Sequence, residues 1–382
     1  MARLGDLFLH VRNGANIKQG LDNTGYPITR IETISNRTVN RNKMGYAGIT
    51  DVSKYSDYIL QDGDILMSHI NSEIHLGKTA LYEKKDNEII IHGMNLLSLR
   101  PNKDLIDSKY AFYYLSSQAF LRQIPNITKK SVNQASFTVS ALKELDFSVT
   151  TIEEQKKVAN DLDKLNNLIE LRTQQLSKFD KLVKSRFVEM FGDKDYPEDT
   201  LLNLCNIIDY RGKTPEKVEY GLPFITAKNV KMHQMNLEPR EYISKETYDK
   251  VIVRGFPKEG DVLFTTEAPL GNVCRIPHFD TDFYIGQRIV TIQTENLEPI
   301  YLEYALSSDD FKMKYIGKSS GSTVTGIRVR LLEQLTIAVP PIDLQKEFAK
   351  FVEETDKLKL AIQQSLEKLE TLKKALMQQY FG

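Results

Sequence analysis

The chain has 382 residues, and its 51 Lys and Arg are balanced by 51 Asp and Glu, so the formal net charge at pH 7 is zero. This length allows two or more domains with cores of their own, and the neutral balance restricts any nucleic-acid interface to a local patch. Two cysteines without paired spacing favour a reducing compartment. Neither a signal peptide nor an apolar run of ~20 residues is recognisable, so we expect a cytoplasmic protein.

Residues 1–150 are predicted to form a first globular domain of mixed α and β structure. Leu4, Leu7 and Val11 predict a short opening helix. Strand-like runs follow, separated by Gly, Asn and Asp, at 28–31, 64–67, 80–82 and 89–91. A helix is expected from Tyr110 to Arg122, and a polar loop at 128–134 comes after it.

The segment 151–192 is predicted to be one long helix, because apolar residues recur along it at steps of three, four or seven. Thr151 and Glu154 can form a capping box at its start, and Gly192 favours its end. Its rise of ~1.5 Å per residue makes the helix roughly 57 Å long. A single narrow apolar stripe on so long a helix indicates a coiled-coil seam.

Residues 193–340 repeat the order of the first domain, and residues 341–382 repeat the long helix. Ile152 matches Ile342 and Gln155 matches Gln345, each pair 190 positions apart, whereas the loops of the two domains differ. A repeat of this length is a duplicated module of one domain and one helix. Pro341 suits a first helical turn, since its missing N–H costs nothing there.

We therefore predict an α+β fold in which two pseudo-two-fold related mixed α/β domains are separated by an antiparallel coiled coil of two long helices. The alternative is that each amphipathic helix packs separately on its own domain. Two similar domains held at a fixed distance suit a linear ligand that carries two binding sites at a fixed separation. Duplex DNA is such a ligand, with half-sites about one helical turn, ~34–36 Å, apart.

Several segments of the sequence are distinctive when taken together. They are the helix start at Pro340-Pro341 with Gln345, the helix ends EMFG and YFG, the run from Tyr210 to Pro215 (YRGKTP), and the run from Ser320 to Arg330 (SGSTVTGIRVR). In combination they resemble the specificity (S) subunit of type I restriction–modification enzymes. The resemblance covers the whole chain. One departure is that Thr150-Thr151 stands where the second copy has Pro340-Pro341.

The resemblance implies target-recognition domain 1 at 1–150, a central helical region at 151–192, target-recognition domain 2 at 193–340 and a C-terminal helical region at 341–382. Each domain would read one half of an asymmetric, bipartite DNA site. The helices would set the spacer and dock two methyltransferase (M) subunits, and restriction/translocase (R) subunits would join them. S-adenosylmethionine, and ATP with magnesium, are expected in those partner subunits and not in this chain.

Candidate DNA contacts are residues whose side chains suit phosphates or base edges, clustered at matching places in the two domains. In the first domain they are Lys129, Lys130, Asn133 and Gln134, with Arg30 as a lesser candidate. In the second domain they are Arg211, Lys213, Lys228, Asn229, Lys318, Ser320, Ser322, Thr323, Arg328 and Arg330. Taken singly, any of these cations could be an ordinary solvated surface charge.

A catalytic role is less well supported. Asp64 followed by Glu83-Lys84-Lys85 resembles a metal-dependent nuclease pattern, but the second domain repeats only the aspartate, as Asp261. His69 and His75 lack metal-site spacing, and no Walker loop is present. We therefore expect a non-catalytic chain without a metal site.

A second hypothesis is a coiled-coil scaffold whose two lobes bind proteins or glycans. Salt distinguishes the two hypotheses. A DNA reader loses affinity with a log–log slope of ~0.9 per phosphate contact, whereas a flat response to salt would favour the scaffold.

Overall fold

The computed structural model describes residues 2–18, 24–35, 37–132, 134–192, 194–210, 212, 214–316 and 326–382, with only the backbone at 35. The chain divides into two compact units. Unit 1 comprises Met1–Thr173 and Gln364–Gly382, and unit 2 comprises Gln174–Gln363. Each unit therefore contains part of both long helices, which differs from the four consecutive segments inferred from the sequence.

Unit 1 is built on a largely antiparallel sheet with the strand order β2-β8-β5-β7-β4-β3 among the described residues. Its strands are β1 (Ala2–Arg3), β2 (Phe8–Asn13), β3 (Ile34–Ser35), β4 (Thr38–Val39), β5 (Ile65–Ser68), β6 (Ile70–Asn71), β7 (Thr79–Leu81), β8 (Leu96–Pro101), β9 (Lys129–Lys130), β10 (Ala135–Ser136) and β11 (Asp146–Phe147). A smaller sheet has the order β6-β10-β9, and β1 pairs with β11. Strand β5 is buried along its whole length, as expected of a central strand.

The helices of unit 1 contribute side chains to its main core cluster. They are α1 (Leu4–Leu7), α2 (Ser108–Leu115), α3 (Gln118–Leu121), α4 (Ile124–Ile127) and α5 (Val139–Lys143), followed by the long helix α6 (Ile152–Phe191). Tyr110, Leu115 and Phe147 pack in one cluster with Val158 and Leu162 of α6. The globular domain and the start of α6 thus share one hydrophobic core.

Unit 2 has a four-strand order, β13-β21-β18-β19, within its described residues, and a second sheet ordered β17-β14-β20. Its strands are β12 (Glu198–Thr200), β13 (Asn206–Asp209), β14 (Leu222–Ile225), β15 (Val230–Lys231), β16 (Gln234–Met235), β17 (Tyr242–Ile243), β18 (Val262–Thr265), β19 (Val273–Arg275), β20 (Tyr284–Ile285), β21 (Ile289–Gln293) and β22 (Thr336–Ala338). Strand β12 pairs with β22 as β1 pairs with β11.

The helices of unit 2 follow the order seen in unit 1. They are α7 (Leu201–Leu204), α8 (Lys245–Val251), α9 (Pro299–Ser307), α10 (Asp309–Ile316), α11 (Val329–Leu332) and the long helix α12 (Ile342–Phe381). The core divides into three clusters, one around Phe264, Leu302 and Phe311, a second around Tyr210 and Tyr284, and a third around Tyr301 and Phe348. Helix α8 has no counterpart among the described helices of unit 1. The two units therefore differ in inserted elements such as α8 but share the order of the remaining elements.

In each unit the segments of α6 and α12 pair antiparallel. In unit 1, Tyr380 donates a hydrogen bond to Asp161 (3.2 Å), and Phe381 joins the core cluster that contains Val158 and Leu162. In unit 2, Lys359 contacts Asp180 (2.6 Å) and Arg186 contacts Glu347 (3.0 Å). The residue number on one helix falls as the number on the other rises, which is the antiparallel arrangement predicted from the apolar stripes. The alternative of two unpaired helices is therefore wrong.

Several local predictions are corrected. Val11 lies in strand β2, because the opening helix ends at Leu7. The runs 28–31 and 89–91 form isolated bridges and a 3₁₀ turn rather than strands. The helix expected from Tyr110 to Arg122 is broken, because the Ser117 hydroxyl accepts the Phe120 N–H (3.3 Å) and caps a new helix, α3.

Candidate nucleic-acid interface

In unit 1 a short hairpin brings together three of the predicted DNA-contact residues. Strands β9 and β10 pair antiparallel, with Ala135 opposite Lys130. The backbone N–H and the hydroxyl of Ser131 both donate to the Gln134 carbonyl oxygen, each at 2.8 Å, and these bonds close the tip. Lys129, Lys130 and Gln134 are exposed on this hairpin. It is a fixed strand edge bearing two ammonium groups and one amide.

Lys130 has an acidic neighbour. Its Nζ lies 2.6 Å from Glu73 Oε1, and both side chains are more than half exposed. Such exposed ion pairs contribute only ~0–1 kcal/mol, so a phosphate can displace the carboxylate at little cost. The hairpin cation is therefore available to a stronger anionic partner.

Arg30 does not lie on the hairpin. It precedes the 3₁₀ turn Ile31–Thr33, where its backbone N–H donates to the Thr33 hydroxyl at 2.7 Å, and it is half-buried. The lesser candidate is therefore not one of the residues that the hairpin brings together.

In unit 2 the turn after β14 presents Lys228 to solvent but buries its neighbour. Asn229 is 1% exposed, and its Oδ1 accepts the Thr226 N–H (2.9 Å) and the Thr226 hydroxyl (3.0 Å). Its Nδ2 donates to the carbonyl oxygens of Asn236 (2.9 Å) and Pro239 (3.2 Å). All of its donor and acceptor capacity is used internally, so we withdraw Asn229 as a DNA contact. Its amide holds the turn that carries Lys228.

Arg328 and Arg330 are exposed at the start of α11. Gly326 bridges to Glu267, and the Ile327 N–H donates to the Thr266 carbonyl (3.0 Å). In unit 1 the Phe137 N–H donates to the His69 carbonyl (3.1 Å) in the same way. The next residue there is Thr138, whose hydroxyl caps α5 at Ala141 N (3.2 Å).

Arg328 therefore stands where unit 1 has a capping threonine, and α11 has no side-chain cap at Arg328. An N-terminal cap typically contributes ~1 kcal/mol, so unit 2 has exchanged a stabilising hydroxyl for an exposed cation. The remaining predicted contacts, Asn133, Arg211, Lys213, Lys318, Ser320, Ser322 and Thr323, lie outside the described residues.

The nuclease-like residues have structural roles. Asp64 is 1% exposed and accepts two hydrogen bonds from the Arg100 guanidinium, at 2.8 and 2.7 Å. Glu83 pairs with Lys109 (3.5 Å). No group of three or more His, Cys, Asp or Glu side chains suited to a metal ion occurs within the described ranges. Burial lowers the pKa of His69 to about 4, which keeps its ring neutral, and raises the pKa of Cys205 and of Cys274 to about 12.

Two buried glutamines, Gln155 and Gln345, position the globular domains on the helices. Gln155 Oε1 accepts the Asp107 N–H (2.8 Å), and its Nε2 donates to the Thr150 carbonyl (2.8 Å). Gln345 Oε1 accepts the Glu298 N–H (2.9 Å), and its Nε2 donates to the Pro340 carbonyl (2.7 Å). Both side chains are buried. The signal in the sequence was a polar residue repeated at the same place in two otherwise apolar helix faces.

Unit 2 adds an ionic network between its globular domain and α12. Glu303, 2% exposed, accepts from Arg275 Nε (2.7 Å) and lies 2.9 Å from His233 Nδ1. Arg275 also reaches Asp356 of α12 at 3.6 Å. Spacing along the chain gave no sign of this network, because its members come from a loop, a strand and two helices.

A duplicated α+β domain, joined to paired long helices and carrying exposed cations in each unit, is the architecture of a two-site recognition protein. The profile described as "Type I restriction modification DNA specificity domain" matches residues 1–179 and 194–373, one match for each copy. The chain belongs to this family and is a specificity subunit with two target-recognition domains.

Similar proteins agree with this assignment. A protein of Methanocaldococcus jannaschii, named as the MjaX specificity subunit of a type I restriction enzyme, is 33% identical over 98% of this chain and 90% of its own length. The MjaVIII specificity subunit of the same organism is 23% identical over 84% of this chain and 79% of its own.

Solved structures match in fold. The S subunit of a type I restriction–modification system from M. genitalium superposes with a TM-score of 0.60 at 16% identity, over 100% of this chain and 95% of that one. A chain from a study of complex assembly in the type I R-M system gives a TM-score of 0.56 at 18% identity, over 100% and 96%. Within the described residues, no helix has both the length and the apolar character needed to cross a bilayer.

Proposed function

We propose that each recognition domain of this chain reads one half of an asymmetric, bipartite duplex DNA site. This proposal rests on a comparison of the two copies. The contacts that hold each domain on the helices are shared, whereas exposed residues at equivalent positions differ. Gln155 and Gln345 make matching hydrogen bonds, whereas an exposed Arg328 stands in unit 2 at the position where Thr138 caps α5 in unit 1. Loops that differ on one scaffold read different ligands.

In unit 1, Lys129 and Lys130 would hold phosphates, and Gln134, whose amide both donates and accepts, would meet a base edge. In unit 2, phosphates and base edges would be contacted by Arg328, Arg330 and Lys228. The fixed tip of the hairpin reduces the ordering cost of binding, because Ser131 and Gln134 are already hydrogen-bonded.

The helices would set the spacer and dock two M subunits, and R subunits would join that assembly. Leu168 and Leu372 are exposed on the helical segments of unit 1, and Leu182 and Leu358 on those of unit 2. Leu168 and Leu358 are 190 positions apart, as are Leu182 and Leu372. Equivalent exposed leucines in both copies support two docking places for one kind of partner.

Recognition would be the contribution of this chain, with catalysis assigned to its partners. S-adenosylmethionine, and ATP with magnesium, would be bound by the M and R subunits. We expect the complex to act in the cytoplasm. The scaffold with protein- or glycan-binding lobes has no support from the family match, which describes a DNA specificity domain.

The deciding experiment expresses the chain with its M partner in a host and maps adenine methylation across the genome by methylation-sensitive sequencing. We expect one motif with two fixed halves and a spacer of constant length. Inserting about four residues near Gln174, roughly one helical turn, should change only the spacer. An unchanged spacer with altered half-sites would contradict the assigned division of roles.

A further inference from the structure

Unit 1 contains a cavity of about 580 Å³ beside the hairpin. This volume is within the roughly 300–1,000 Å³ typical of small-molecule pockets. Asn71 of β6 lines the cavity and also pairs with Ala135 of β10. The cavity therefore adjoins the strand edge that carries the candidate DNA contacts.

The cavity combines aliphatic walls with a floor of hydroxyl groups. Aliphatic side chains on its walls include Ile31, Ile34, Leu76 and Leu121. On its floor, Thr79 Oγ1 and Ser116 Oγ are 3.0 Å apart in a buried hydrogen bond. Apolar walls with a few convergent polar groups are typical of small-molecule sites, and a nucleobase has apolar faces and a polar edge to match them.

Ser68 is the observation that points to a ligand. It lines the cavity and is 4% exposed, yet its hydroxyl oxygen has no hydrogen-bond partner within the part of the chain that the structure describes. An unmet buried hydroxyl costs ~1–3 kcal/mol, so such groups are rare in folded proteins unless something else satisfies them. A ligand in the cavity would supply the missing partner.

Unit 2 does not reproduce this floor. Strand pairing makes Thr265 the counterpart of Ser68 and Val273 the counterpart of Thr79. The Thr265 hydroxyl accepts the Asn272 N–H at 2.8 Å, and Val273 has no hydroxyl to offer. The polar floor is thus an addition of unit 1 to the shared frame and is not required by the fold.

The mouth of the cavity carries positive charge. Arg37 and Lys78 line it and are exposed, with one carboxylate, Glu32, among the lining residues. Lys78 Nζ donates to His75 Nδ1 at 2.6 Å, so the ammonium is held at the rim. Two cations there suit a phosphate group.

We propose that this cavity is a nucleotide-binding site. Its aliphatic walls hold the base, its hydroxyl floor bonds the polar edge of the base, and Arg37 and Lys78 meet the phosphate. The nucleotide comes either from free solution or, unstacked, from a duplex bound along the adjoining hairpin. The duplex source rests on the proposed function, whereas the site itself does not.

The test titrates the full-length chain with each of the four deoxynucleoside monophosphates and, separately, with inorganic phosphate, by calorimetry. We expect at least one nucleotide to bind about tenfold more tightly than phosphate. Ser68→Ala should weaken nucleotide binding about fivefold without lowering the melting temperature, because it removes no internal hydrogen bond. Arg37→Gln should weaken it about tenfold.

Two matched variants serve as controls. Thr291→Val removes a buried hydroxyl of β21 in unit 2 that has no partner within the described residues, and Arg122→Gln removes an exposed guanidinium of unit 1 outside the cavity. Both should leave nucleotide affinity unchanged. If Thr291→Val lowers affinity as much as Ser68→Ala does, the effect is not local and the proposal is overturned.

The source is distinguished with duplexes that carry a fluorescent adenine analogue at successive positions. A fluorescence rise on binding that is lost in Ser68→Ala identifies a base unstacked into the cavity and supports the site, even if free nucleotides bind weakly. Failure of the chain to bind any duplex would contradict the proposed function, and the calorimetry would still decide the cavity. Equal binding of phosphate and nucleotides, or no nucleotide binding with no fluorescence rise, overturns the inference.

Discussion

Units 1 and 2 share several contacts between the recognition domain and the helices, and each unit also has contacts of its own. Tyr110 donates to the Ser148 carbonyl (3.2 Å) in unit 1, and Tyr301 donates to the Ala338 carbonyl (2.8 Å) in unit 2. Phe381 packs on Tyr110 with ring centroids 5.4 Å apart, as Phe191 packs on Tyr301 at 4.9 Å. Features shared by both copies hold the domain on the helices.

The differences lie in polar pairs that each unit has acquired on that frame. Asp64 in unit 1 is paired with Arg100, whereas its counterpart Asp261 accepts from Gln293 (2.6 Å). In unit 1, Lys109 and Tyr113 bind Asp163 of α6 at 2.5 and 2.6 Å. The corresponding helix of unit 2 uses the Glu303 network instead. Comparison of the two copies thus distinguishes the contacts that both units share from the contacts that occur in only one unit.

The largest expected effect comes from breaking the ion pair that only unit 1 has. Arg100→Ala would leave the Asp64 carboxylate buried without its cation, and we expect unit 1 to lose about 3–5 kcal/mol of unfolding free energy. Gln293→Ala, the matched change in unit 2, should cost about 1 kcal/mol, because two of its three hydrogen bonds are exposed and the third goes to the half-buried Asp261.

Urea unfolding gives the unfolding free energies of the two variants. Hydrogen exchange then assigns each loss to its unit, by comparing peptides from β5 and β8 of unit 1 with peptides from β18 and β21 of unit 2. Equal losses for the two variants would mean that the Arg100–Asp64 ion pair contributes no more to the unfolding free energy than the neutral hydrogen bonds of Gln293 do.

The long helices were predictable because their signal is long and occurs twice. The helices span Ile152–Phe191 and Ile342–Phe381, one residue inside the segments expected from the apolar stripes. The expected capping residue, Thr151, accepts the Glu154 N–H at 3.3 Å. A periodic pattern over forty residues outweighs local ambiguities, and a second copy tests it independently.

Short elements and single polar residues were less predictable. The run around Ile90 and Ile91 is buried, but burial alone does not require a strand ladder. Asn229 looked like an exposed amide, since its sequence does not reveal that four internal groups surround it. The hydroxyl floor at Ser68 and Thr79 could not be predicted either, because it depends on which strands become neighbours.

The second prediction tests the symmetry of the frame. Gln155→Ala and Gln345→Ala should each cost about 2 kcal/mol, because each leaves a buried N–H, that of Asp107 or Glu298, without its acceptor. Thermal and urea unfolding of the two variants should agree within experimental error. Thr173→Ala, on the exposed surface of α6, is the control and should change stability little.

If one substitution lowers the unfolding free energy several times more than the other, the shared hydrogen bonds do not stabilise the two units equally. That result would contradict the proposed equivalence of the two units where they are most alike. Methylation mapping adds a functional readout. Loosening either domain should impair methylation of the whole site, since both halves must be bound together.

The third prediction contrasts a cap with a cation. Thr138→Ala should cost unit 1 about 1 kcal/mol, because the Ala141 N–H loses its acceptor. Arg328→Thr should stabilise unit 2 by about 0.5–1 kcal/mol by restoring a cap, yet lower DNA affinity and reduce the salt slope by about one. Unfolding curves and binding at several salt concentrations measure both effects.

Arg330→Thr is the control for Arg328→Thr, since it removes a charge from the same helix without creating a cap. Any relaxed sequence preference should be confined to the second half-site. A change confined to the first half-site would show that the two domains are assigned to the wrong halves.

The smallest expected effect concerns the exposed pair on the hairpin. Glu73→Gln should change unfolding free energy by less than about 0.5 kcal/mol, because the Lys130–Glu73 pair is exposed on both sides. It should raise DNA affinity about two- to fivefold at low salt, since Lys130 is released and a carboxylate no longer repels phosphate. Asp104→Asn, a similar charge change at an exposed residue away from the hairpin, should have a smaller effect. The gain should disappear as salt screens the interaction, and a loss of affinity would instead place Glu73 itself among the groups that bind DNA.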